Sequence, residues 1–334
     1  MLNIVQIGYG YWGNNVAKNI VASKNVNLVA ICDNSLDRLE KAKSVYFDLI
    51  EYSQDYKRYL NDPTVDAFAL VIQTDPSFEV AKEILNAGKH LFIEKPMAIN
   101  SKRAQALKEL AERNNLIIHC DHIMIFHPII RYIKNLYDKG DLGDLIYFDI
   151  SRMNLGPIRM DVNSMLDLAV HDLAVIDYIS KGKEPYHIEA IGEKRYGSQE
   201  TLTYLTLKYD GFISHIKSSW ISPLKERRMI IAGTKKMVVF DDMKTVDKLT
   251  IYDHGIIQIE PSEEYGAYEF KTRTGDIFIP NIQFEDALKN SIEHFANCIR
   301  EMQPSLAGPD QAIRVIKILD KAISKLNQTS EVAL

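Results

Sequence analysis

The chain has 334 residues, 46% of them hydrophobic and 25% charged, which is typical of a folded protein with a sizeable core. This length predicts two domains and excludes a single small module. The net charge of −5 disfavours nucleic acid and anionic membranes as partners, because a negative protein repels polyanions. Cys32, Cys120 and Cys298 lie far apart without CxxC spacing, so neither a disulfide framework nor a thiolate zinc site is predicted. No signal-like segment opens the chain and no long apolar run follows, so we expect a cytoplasmic protein.

Residues 1–121 alternate short apolar runs with segments of helical period, which predicts an α/β Rossmann domain of βα units around a parallel sheet. We expect Ser101 to cap the helix that it begins, and Gly88 to follow the end of the helix before it. The predicted strands are 3–7, 28–32, 67–72, 90–93 and 116–119, and the predicted helices are 13–23, 37–46, 78–87 and 101–114.

Residues 122–334 have a different pattern and predict a second, α+β domain. Two helices, 128–139 and 167–180, are followed by β-branched and alternating runs with glycines between them, which predict an antiparallel sheet of hairpins. Two amphipathic helices, 284–300 and 309–326, end the chain. The predicted strands of this domain are 188–191, 201–207, 213–219, 229–232, 237–240 and 249–252.

A GxGxxG motif follows the first predicted strand and opens a helix; it reads Gly8-Tyr9-Gly10-Tyr11-Trp12-Gly13. Glycines at these positions let backbone N–H groups and the helix N-terminus approach a pyrophosphate. Asp33 ends the next strand, where its carboxylate can accept hydrogen bonds from the ribose of NAD. A carboxylate there repels a 2′-phosphate, so NAD is favoured, while Ser35 and Arg38 keep NADP open as the alternative.

A lysine follows the strand 90–93, in the sequence Glu94-Lys95-Pro96. Ligands of open α/β sheets bind beyond the carboxyl ends of the strands, which is where this lysine is expected. Lys95 could therefore donate a hydrogen bond to a substrate oxygen or move a proton, whereas most lysines only add surface charge.

A second pair of chemically active groups, Asp167 and His171, lies four residues apart in a predicted helix. At this spacing the carboxylate can orient the imidazole, and together they suit removal of a hydroxyl proton while hydride leaves for a nicotinamide. An ordinary ion pair within the helix is the alternative.

Three histidines, His119, His122 and His127, have a spacing that suits no helix face and are joined by a single carboxylate, Asp121. A metal site is therefore disfavoured. His122 is expected to contact the substrate.

Together these motifs resemble the glucose-fructose oxidoreductase, inositol dehydrogenase and rhizopine-catabolism family, written Gfo/Idh/MocA. The segments that carry the resemblance are GYGYWG, AGKHLFIEKPMA, DLAVHD and SIEHFANCIREMQPSLAG. It implies a Rossmann domain and a domain with a large, mostly antiparallel sheet that often forms homodimer or homotetramer contacts. It also implies that Lys95 and His171 are the catalytic pair and that Asp167 is the partner of His171. Which of the pair takes the hydroxyl proton is open.

The resemblance implies further cofactor contacts at Tyr11, Trp12, Glu94 and Pro96, the last in a turn that aims the lysine. The chain departs from the family in two loops. Thr74-Asp75-Pro76-Ser77-Phe78-Glu79 replaces a TPxxxH pattern beside the cofactor, where Thr74 and Pro76 are the expected contacts. His127-Pro128 replaces the usual Asn-Pro.

A narrower resemblance, to the branch associated with nucleotide sugars and surface polysaccharides, rests on residues 152–163 and 219–225. Arg152 and Arg159 could bind a carboxylate or diphosphate, and Asn154 and Asn163 could bind sugar hydroxyls. The segment also contains Asp161, and Lys225 is a weaker substrate contact, with solubility of an edge strand as its alternative role.

These observations predict an NAD(P)-dependent oxidoreductase that transfers hydride to or from a secondary hydroxyl of a sugar, at C3 of a nucleotide-activated sugar. The first alternative is a dehydrogenase of free sugars or inositol-type polyols. The second is a regulatory protein that binds NAD without catalysis, which the retained Lys95, Asp167 and His171 disfavour.

Overall fold

The computed structural model describes residues 1–160, 162–259 and 270–331, so Asp161 of the predicted substrate segment lies outside the described residues. The chain forms two compact units. The first contains Met1–His127 and Glu285–Lys317, and the second contains Pro128–Phe284 and Ile318–Leu334. Residues 285–317, which the boundary at residue 121 assigns to the second domain, thus belong to the first unit.

The first unit has a six-stranded parallel sheet in the order β3-β2-β1-β4-β5-β6. The order reverses between β1 and β4, which is the point where doubly wound sheets bind ligands. The strands are β1 (Leu2–Ile7), β2 (Val26–Cys32), β3 (Glu51–Ser53), β4 (Ala67–Leu70), β5 (His90–Ile93) and β6 (Ile118–Cys120). The helices between them are α1 (Tyr11–Ala22), α2 (Leu36–Tyr46), α3 (Thr74–Asn86) and α4 (Ser101–Arg113). Short 3-10 turns occupy Phe47–Leu49, Lys57–Tyr59 and Ile123–Phe126.

The second unit has an eight-stranded sheet in the order β14-β13-β12-β11-β7-β10-β9-β8. Its pairs are antiparallel except for β7 with β10, which run parallel. The strands are β7 (Leu145–Leu155), β8 (His187–Glu193), β9 (Leu202–Tyr209), β10 (Phe212–Ser219), β11 (Ile221–Gly233), β12 (Met237–Asp241), β13 (Leu249–Gln258) and β14 (Phe270–Phe278). Its helices are α5 (Pro128–Asp138), the π-helical turn Met165–Ala169, and α6 (Val170–Ile179).

The chain ends with α7 (Ala287–Glu301) and α8 (Pro309–Glu331). Apolar residues of α7, including Phe295, are buried on the face of the parallel sheet that contains Phe92. The first turns of α8, including Ile316, are buried on the face that contains Phe68. This burial explains why residues 285–317 belong to the first unit.

The predicted fold class is confirmed, with three local differences. β3, β7 and β14 were not among the predicted strands, and β7 is central because it joins β10 to β11. Asn100, not Ser101, caps α4, since its Oδ1 accepts a hydrogen bond from the Arg103 N–H at 2.9 Å. The predicted helix 167–180 begins as a π-helical turn, a distortion that often marks functional positions. Among the described residues, no helix is both long and apolar enough to cross a membrane.

Candidate active site

The glycine motif forms a tight turn between β1 and α1. A Cβ on Gly8, whose φ is +96°, would lie 2.1 Å from the Val71 carbonyl oxygen, and one on Gly13 would lie 2.4 Å from that of Gly8. The buried amide of Gln6 donates hydrogen bonds to the carbonyls of Gly8 and Gly13, both at 2.8 Å. Gly10 faces open space, and the first turn of α1 contains no acidic side chain. A pyrophosphate can therefore approach the N-terminus of α1.

Asp33 lies at the carboxyl end of β2 and is 6% exposed. Its Oδ2 accepts a hydrogen bond from the Tyr9 N–H at 2.7 Å, and its Oδ1 accepts one from the Ser35 N–H at 2.9 Å. These bonds fix the carboxylate beside the glycine turn, where it fits the ribose hydroxyls of NAD and repels a 2′-phosphate. Arg38, with a half-exposed side chain, lies 3.5 Å from Asp33 Oδ2 and pairs with it, so the carboxylate has not turned aside for a phosphate.

The other predicted cofactor contacts lie where helices begin or strands end in the parallel-sheet unit. Tyr11 is exposed at the start of α1, and Trp12 follows it. Thr74 and Pro76 belong to the first turn of α3, which begins four residues before the predicted start at residue 78. Pro96 follows Lys95 through a cis peptide bond beyond β5.

Glu94 and Lys95 follow β5, and Asp121 follows β6, so the carboxyl ends of two paired strands bring them together. Burial raises the pKa of Asp121 to about 7, against the lowering effects of Ser291, Trp12, Glu94 and Lys95. Burial and the neighbouring Asp121 raise the pKa of Glu94 well above its usual value, although the charge of Lys95 opposes the shift. The carboxyl of Glu94, predicted as a cofactor contact, is thus directed at another acid.

His119 and His122 lie on either side of Asp121 in the sequence and are both buried. Burial and the charge of Lys95 lower the pKa of His122 to about 3. Burial, with His294 and His122 as neighbours, holds the pKa of His119 well below its usual value. Both imidazoles are therefore neutral at pH 7. In the part of the chain that the structure describes, no three His, Cys, Asp or Glu side chains converge as metal ligands.

In the second unit, the π-helical turn presents the carboxylate of Asp167. Its Oδ2 accepts a hydrogen bond from the buried Trp220 indole at 3.2 Å, and its Oδ1 accepts one from Arg159 Nη1 at 3.1 Å. Asn163 Oδ1 accepts from the Leu166 N–H at 2.9 Å and so fixes the start of this turn. His171 lies in the first turn of α6. Asp167 is thereby held as a charged, oriented group on the segment that carries His171.

Arg152 and Asp172 form a buried ion pair behind this segment. Arg152 Nη2 lies 2.6 Å from Asp172 Oδ1, and Arg152 Nε lies 3.1 Å from Oδ2. The Asp172 side chain is 0% exposed. Asp172 thus occupies Nε and Nη2 of Arg152 and joins α6 to β7, and the predicted contact of Arg152 with a substrate anion stays a prediction.

Asn163 also has a structural role, since it is buried and its Nδ2 donates to Glu200 Oε2 at 2.9 Å. Each of its two amide atoms makes a hydrogen bond within the protein, and its predicted contact with sugar hydroxyls stays a prediction. Asn154 is half-buried near the end of β7, and its predicted contact stays a prediction. Arg159 keeps a side chain that is 44% exposed, so it remains accessible to a substrate anion.

Lys225 lies in a groove of about 460 Å³ that also contains Arg228 and Asp241. Arg227 is directly opposite Arg152 in the register of β11 with β7. Adjacent residues of a strand point to opposite faces, so the groove around Arg228 lies on the face away from Arg152. Lys225 lines this groove, and its predicted contact with the substrate stays a prediction.

Sequence reasoning missed four residues that shape these sites. Gln6 had a signal, being a polar residue in an apolar strand, and Asp172 had one in its place within DLAVHD. Ser291, whose Oγ donates to Asp121 Oδ1 at 3.1 Å, had none, because 170 positions separate the two residues. The indole of Trp220 likewise reaches Asp167 from a distant strand.

Comparison with known families matches both parts of the chain. Residues 2–122 match the N-terminal domain described as "Oxidoreductase family, NAD-binding Rossmann fold", and residues 130–239 match the GFO/IDH/MocA C-terminal domain. The first match agrees with the geometry of the glycine turn and Asp33, which fit NAD.

Relatives with described activities act on sugars and polyols. The chain is 27% identical to the UDP-N-acetylglucosamine 3-dehydrogenase of Acidithiobacillus ferrooxidans over 72% of both chains. It is 23% identical to the scyllo-inositol 2-dehydrogenase (NAD(+)) of Bacillus subtilis over 88% of this chain and 85% of that one. A solved structure of the Acidithiobacillus enzyme superposes with a TM-score of 0.80 at 23% identity, over 98% of each chain. This similarity shows the shared fold.

Proposed function

We propose that this chain, which belongs to the Gfo/Idh/MocA family of NAD-dependent dehydrogenases of sugar and polyol hydroxyls, oxidises C3 of a nucleotide-activated sugar. The observation that carries the proposal is the carboxylate of Asp167, held by Trp220 and by an accessible Arg159. A guanidinium beside an acid-base segment suits a substrate with an anionic part next to its reacting hydroxyl.

The proposed chemistry uses Lys95, His171 and Asp167. NAD, when bound, accepts the hydride from the sugar carbon. Lys95 and His171 are the two groups that hold the substrate hydroxyl and remove its proton, and Asp167 orients the segment that carries His171. Gln6 keeps the glycine turn in shape before the pyrophosphate arrives, and Asp33 orients the ribose.

Similarity to the UDP-N-acetylglucosamine 3-dehydrogenase supports a nucleotide sugar. The second candidate is a free polyol such as inositol, which the longer match to the scyllo-inositol 2-dehydrogenase favours. A polyol has no anionic group, so it gives Arg159 nothing to bind, and Arg159 therefore separates the two candidates.

The test follows reduced nicotinamide while the protein is mixed with NAD and a panel of UDP-sugars, dTDP-sugars, scyllo-inositol and myo-inositol. We expect turnover with a UDP-sugar, and product analysis to place the ketone at C3. Arg159→Ala is expected to raise KM for that sugar by about 10-fold or more, since a charged hydrogen bond is worth about 1.5–3 kcal/mol.

Arg58→Ala is the matched control, because Arg58 pairs with Glu51 on the surface of the first unit and should leave KM unchanged. Turnover of inositols alone, or an unchanged KM in Arg159→Ala, would exclude the nucleotide-sugar proposal. NAD binding without turnover of any sugar would favour the regulatory alternative. A cytoplasmic location and a homo-oligomeric state stay predictions.

A further inference from the structure

Two buried acids face each other beside Lys95 in the first unit. Asp121 is 1% exposed, and its Oδ2, like the Oε2 of Glu94, is buried and accepts no hydrogen bond from the described residues. The carboxyls nevertheless lie close enough to shift each other's pKa. Two ionised carboxylates in contact in a dry site repel each other strongly. A proton between them removes this repulsion and supplies the donor that both oxygens lack.

A hydrogen-bonded chain leads from these acids toward the surface. Asp121 Oδ1 accepts a hydrogen bond from Ser291 Oγ at 3.1 Å. Ser291 Oγ lies 2.8 Å from His119 Nε2, and His119 Nδ1 lies 2.8 Å from Ser305 Oγ. Ser291 and His119 are 0% exposed, whereas Ser305, between α7 and α8, is partly exposed. The chain thus joins a buried carboxyl to the surface without a break.

The ring of His119 is packed among aromatic side chains, with the imidazole of His294 6.0 Å away. The imidazole stacks on Phe92 and Phe126, with ring centroids 5.1 and 5.4 Å away, and lies 5.7 Å from Phe295. Such packing leaves the two serine hydroxyls as the polar partners of the ring. A neutral imidazole has one donor and one acceptor nitrogen, so it can receive a proton on one nitrogen while releasing one from the other.

We propose that Glu94 and Asp121 form an acid pair that receives the proton released at Lys95 and passes it to solvent through Ser291, His119 and Ser305. The assignment of that proton to the substrate hydroxyl rests on the proposed function. Oxidation breaks the C–H and O–H bonds of the alcohol: hydride leaves with both electrons for NAD, and the hydroxyl proton goes to the base. Ser291 first turns its O–H from Asp121 Oδ1 toward His119 Nε2. Each hydroxyl of the chain then accepts one proton from its inner neighbour and gives one to its outer neighbour, and water takes the last.

The charged and titratable groups around the pair agree with this direction. The positive charge of Lys95 opposes the rise in the pKa of both acids. His122 and His119 are neutral for the reasons given above, and burial raises the pKa of the Cys120 thiol well above its usual value, so it too is neutral. The acid pair and Lys95 are close enough to influence each other electrostatically, so the pair is an acceptor for a proton that leaves the lysine. We class Asp121, Ser291 and His119 as positioning residues, since they act through Lys95.

The first experiment tests the acid pair without substrate. Infrared spectra of the whole protein in the absence of cofactor are followed through the carbonyl stretch of protonated carboxyls while the pH rises. We expect a carboxylic-acid band that persists well above the pH at which ordinary carboxyls ionise and is lost in the double variant E94Q/D121N. Loss of the band below about pH 5, as for unperturbed acids, overturns the pair.

The second experiment tests the relay with whichever sugar or polyol the wild type oxidises. His119→Phe keeps the aromatic stack and removes the relay, so we expect kcat to fall at least 10-fold while KM changes less than 2-fold. The solvent deuterium isotope effect on kcat should rise. His90→Phe is the matched control, because His90 begins β5 and its Nδ1 accepts only from the Ile117 N–H in the described hydrogen bonds.

An unchanged kcat and isotope effect in a folded His119→Phe protein overturns the relay. Wild-type protein that oxidises only inositols refutes the nucleotide-sugar proposal, and the relay is then measured with inositol. Wild-type protein that oxidises nothing refutes the proposed function and the relay together, whereas the infrared band still decides the acid pair.

Discussion

The two units place their acids in opposite environments. In the second unit, Asp172 is bound by the Arg152 guanidinium and Asp167 by Arg159 and Trp220, so each acid has a cationic partner. In the first unit, Glu94 and Asp121 face each other with buried oxygens that the described residues do not satisfy. A carboxyl thus forms ion pairs in one unit and retains a proton in the other.

This difference follows from what the strand ends supply. The carboxyl ends of β5 and β6 bring one lysine to two acids, so the acids outnumber the cation. Arg152 of β7 pairs with Asp172, and Arg159 pairs with Asp167, so each of these two carboxylates has a cation. A family resemblance that matches residue types cannot separate these cases, because protonation depends on the balance of charge and burial around each group.

The largest expected effect concerns Lys95. Lys95→Ala should lower kcat by about 10²- to 10⁴-fold, because a group that moves a proton and carries a charge is removed, while NAD binding is retained. Turnover by absorbance and NAD affinity by fluorescence measure the two effects. Lys82→Ala, which removes an exposed surface pair with Glu79, is the control. Near-normal turnover in Lys95→Ala would show that the reaction does not depend on this lysine.

The second effect concerns the buried ion pair. Arg152→Met leaves Asp172 as an uncompensated buried charge, so the free energy of unfolding should fall by about 3–5 kcal/mol. Urea unfolding measures it, and Arg58→Met, which removes the exposed pair with Glu51, should cost less than about 1 kcal/mol. Equal losses in the two variants would mean that burial does not distinguish the pairs.

The third effect is the pH dependence of stability from Asp121. Its folded pKa of about 7 exceeds the ordinary 3.8, so the folded state holds more protons in this range. The stability that the protonated group contributes is full below pH 3.8 and is lost as the pH rises to about 7. Relative to wild type, Asp121→Asn should therefore gain on the order of 2–4 kcal/mol between these limits.

Urea unfolding of both proteins across this pH range checks the prediction, and the difference between them cancels the opposite contributions of His119 and His122 to first order. Asp48→Asn is the control, since the Asp48 side chain is 90% exposed. A difference between Asp121→Asn and wild type that stays constant with pH would contradict the raised pKa.

The smallest effect concerns Trp220. Trp220→Phe keeps an aromatic ring in a buried position but removes the hydrogen bond to Asp167, which should cost about 1 kcal/mol of stability. Thermal unfolding measures the loss. Tyr186→Phe, at an exposed tyrosine, is the control. If Trp220→Phe loses no more stability than Tyr186→Phe, the indole does not hold the carboxylate.

The sequence predicted five of the six strands of the Rossmann sheet, because those strands have short apolar runs followed by turn signals, whereas β3 (Glu51–Ser53) has no apolar run and was missed. The sequence pattern did not predict β7, for a physical reason. It contains Asp149 and Arg152, and the burial of Arg152 is explained only by Asp172, twenty positions later. The π-helical turn was equally hidden, because Asn163 and Glu200 define it through contacts that no local pattern contains.

For the candidate site, the sequence identified the residues that lie at strand ends, such as Asp33 and Lys95. It did not identify how they are used. Glu94 was expected to contact the cofactor, and in the structure its carboxyl interacts with Asp121. Arg152 was expected to contact the substrate, and in the structure it binds Asp172. Partners from distant parts of the chain decide protonation and orientation, and the sequence alone does not specify which distant residues meet.

The central position of β7 also bears on how the protein is made. β7 pairs with β10 and β11, which follow it by about sixty residues or more, so a ribosome must extend the chain through residue 233 before both edges of β7 are covered. Until then the nascent strand exposes unpaired N–H and C=O groups and apolar side chains such as Phe148 and Ile150. Pairings this distant in sequence form slowly. The second unit therefore needs protection from aggregation until its central strand is paired.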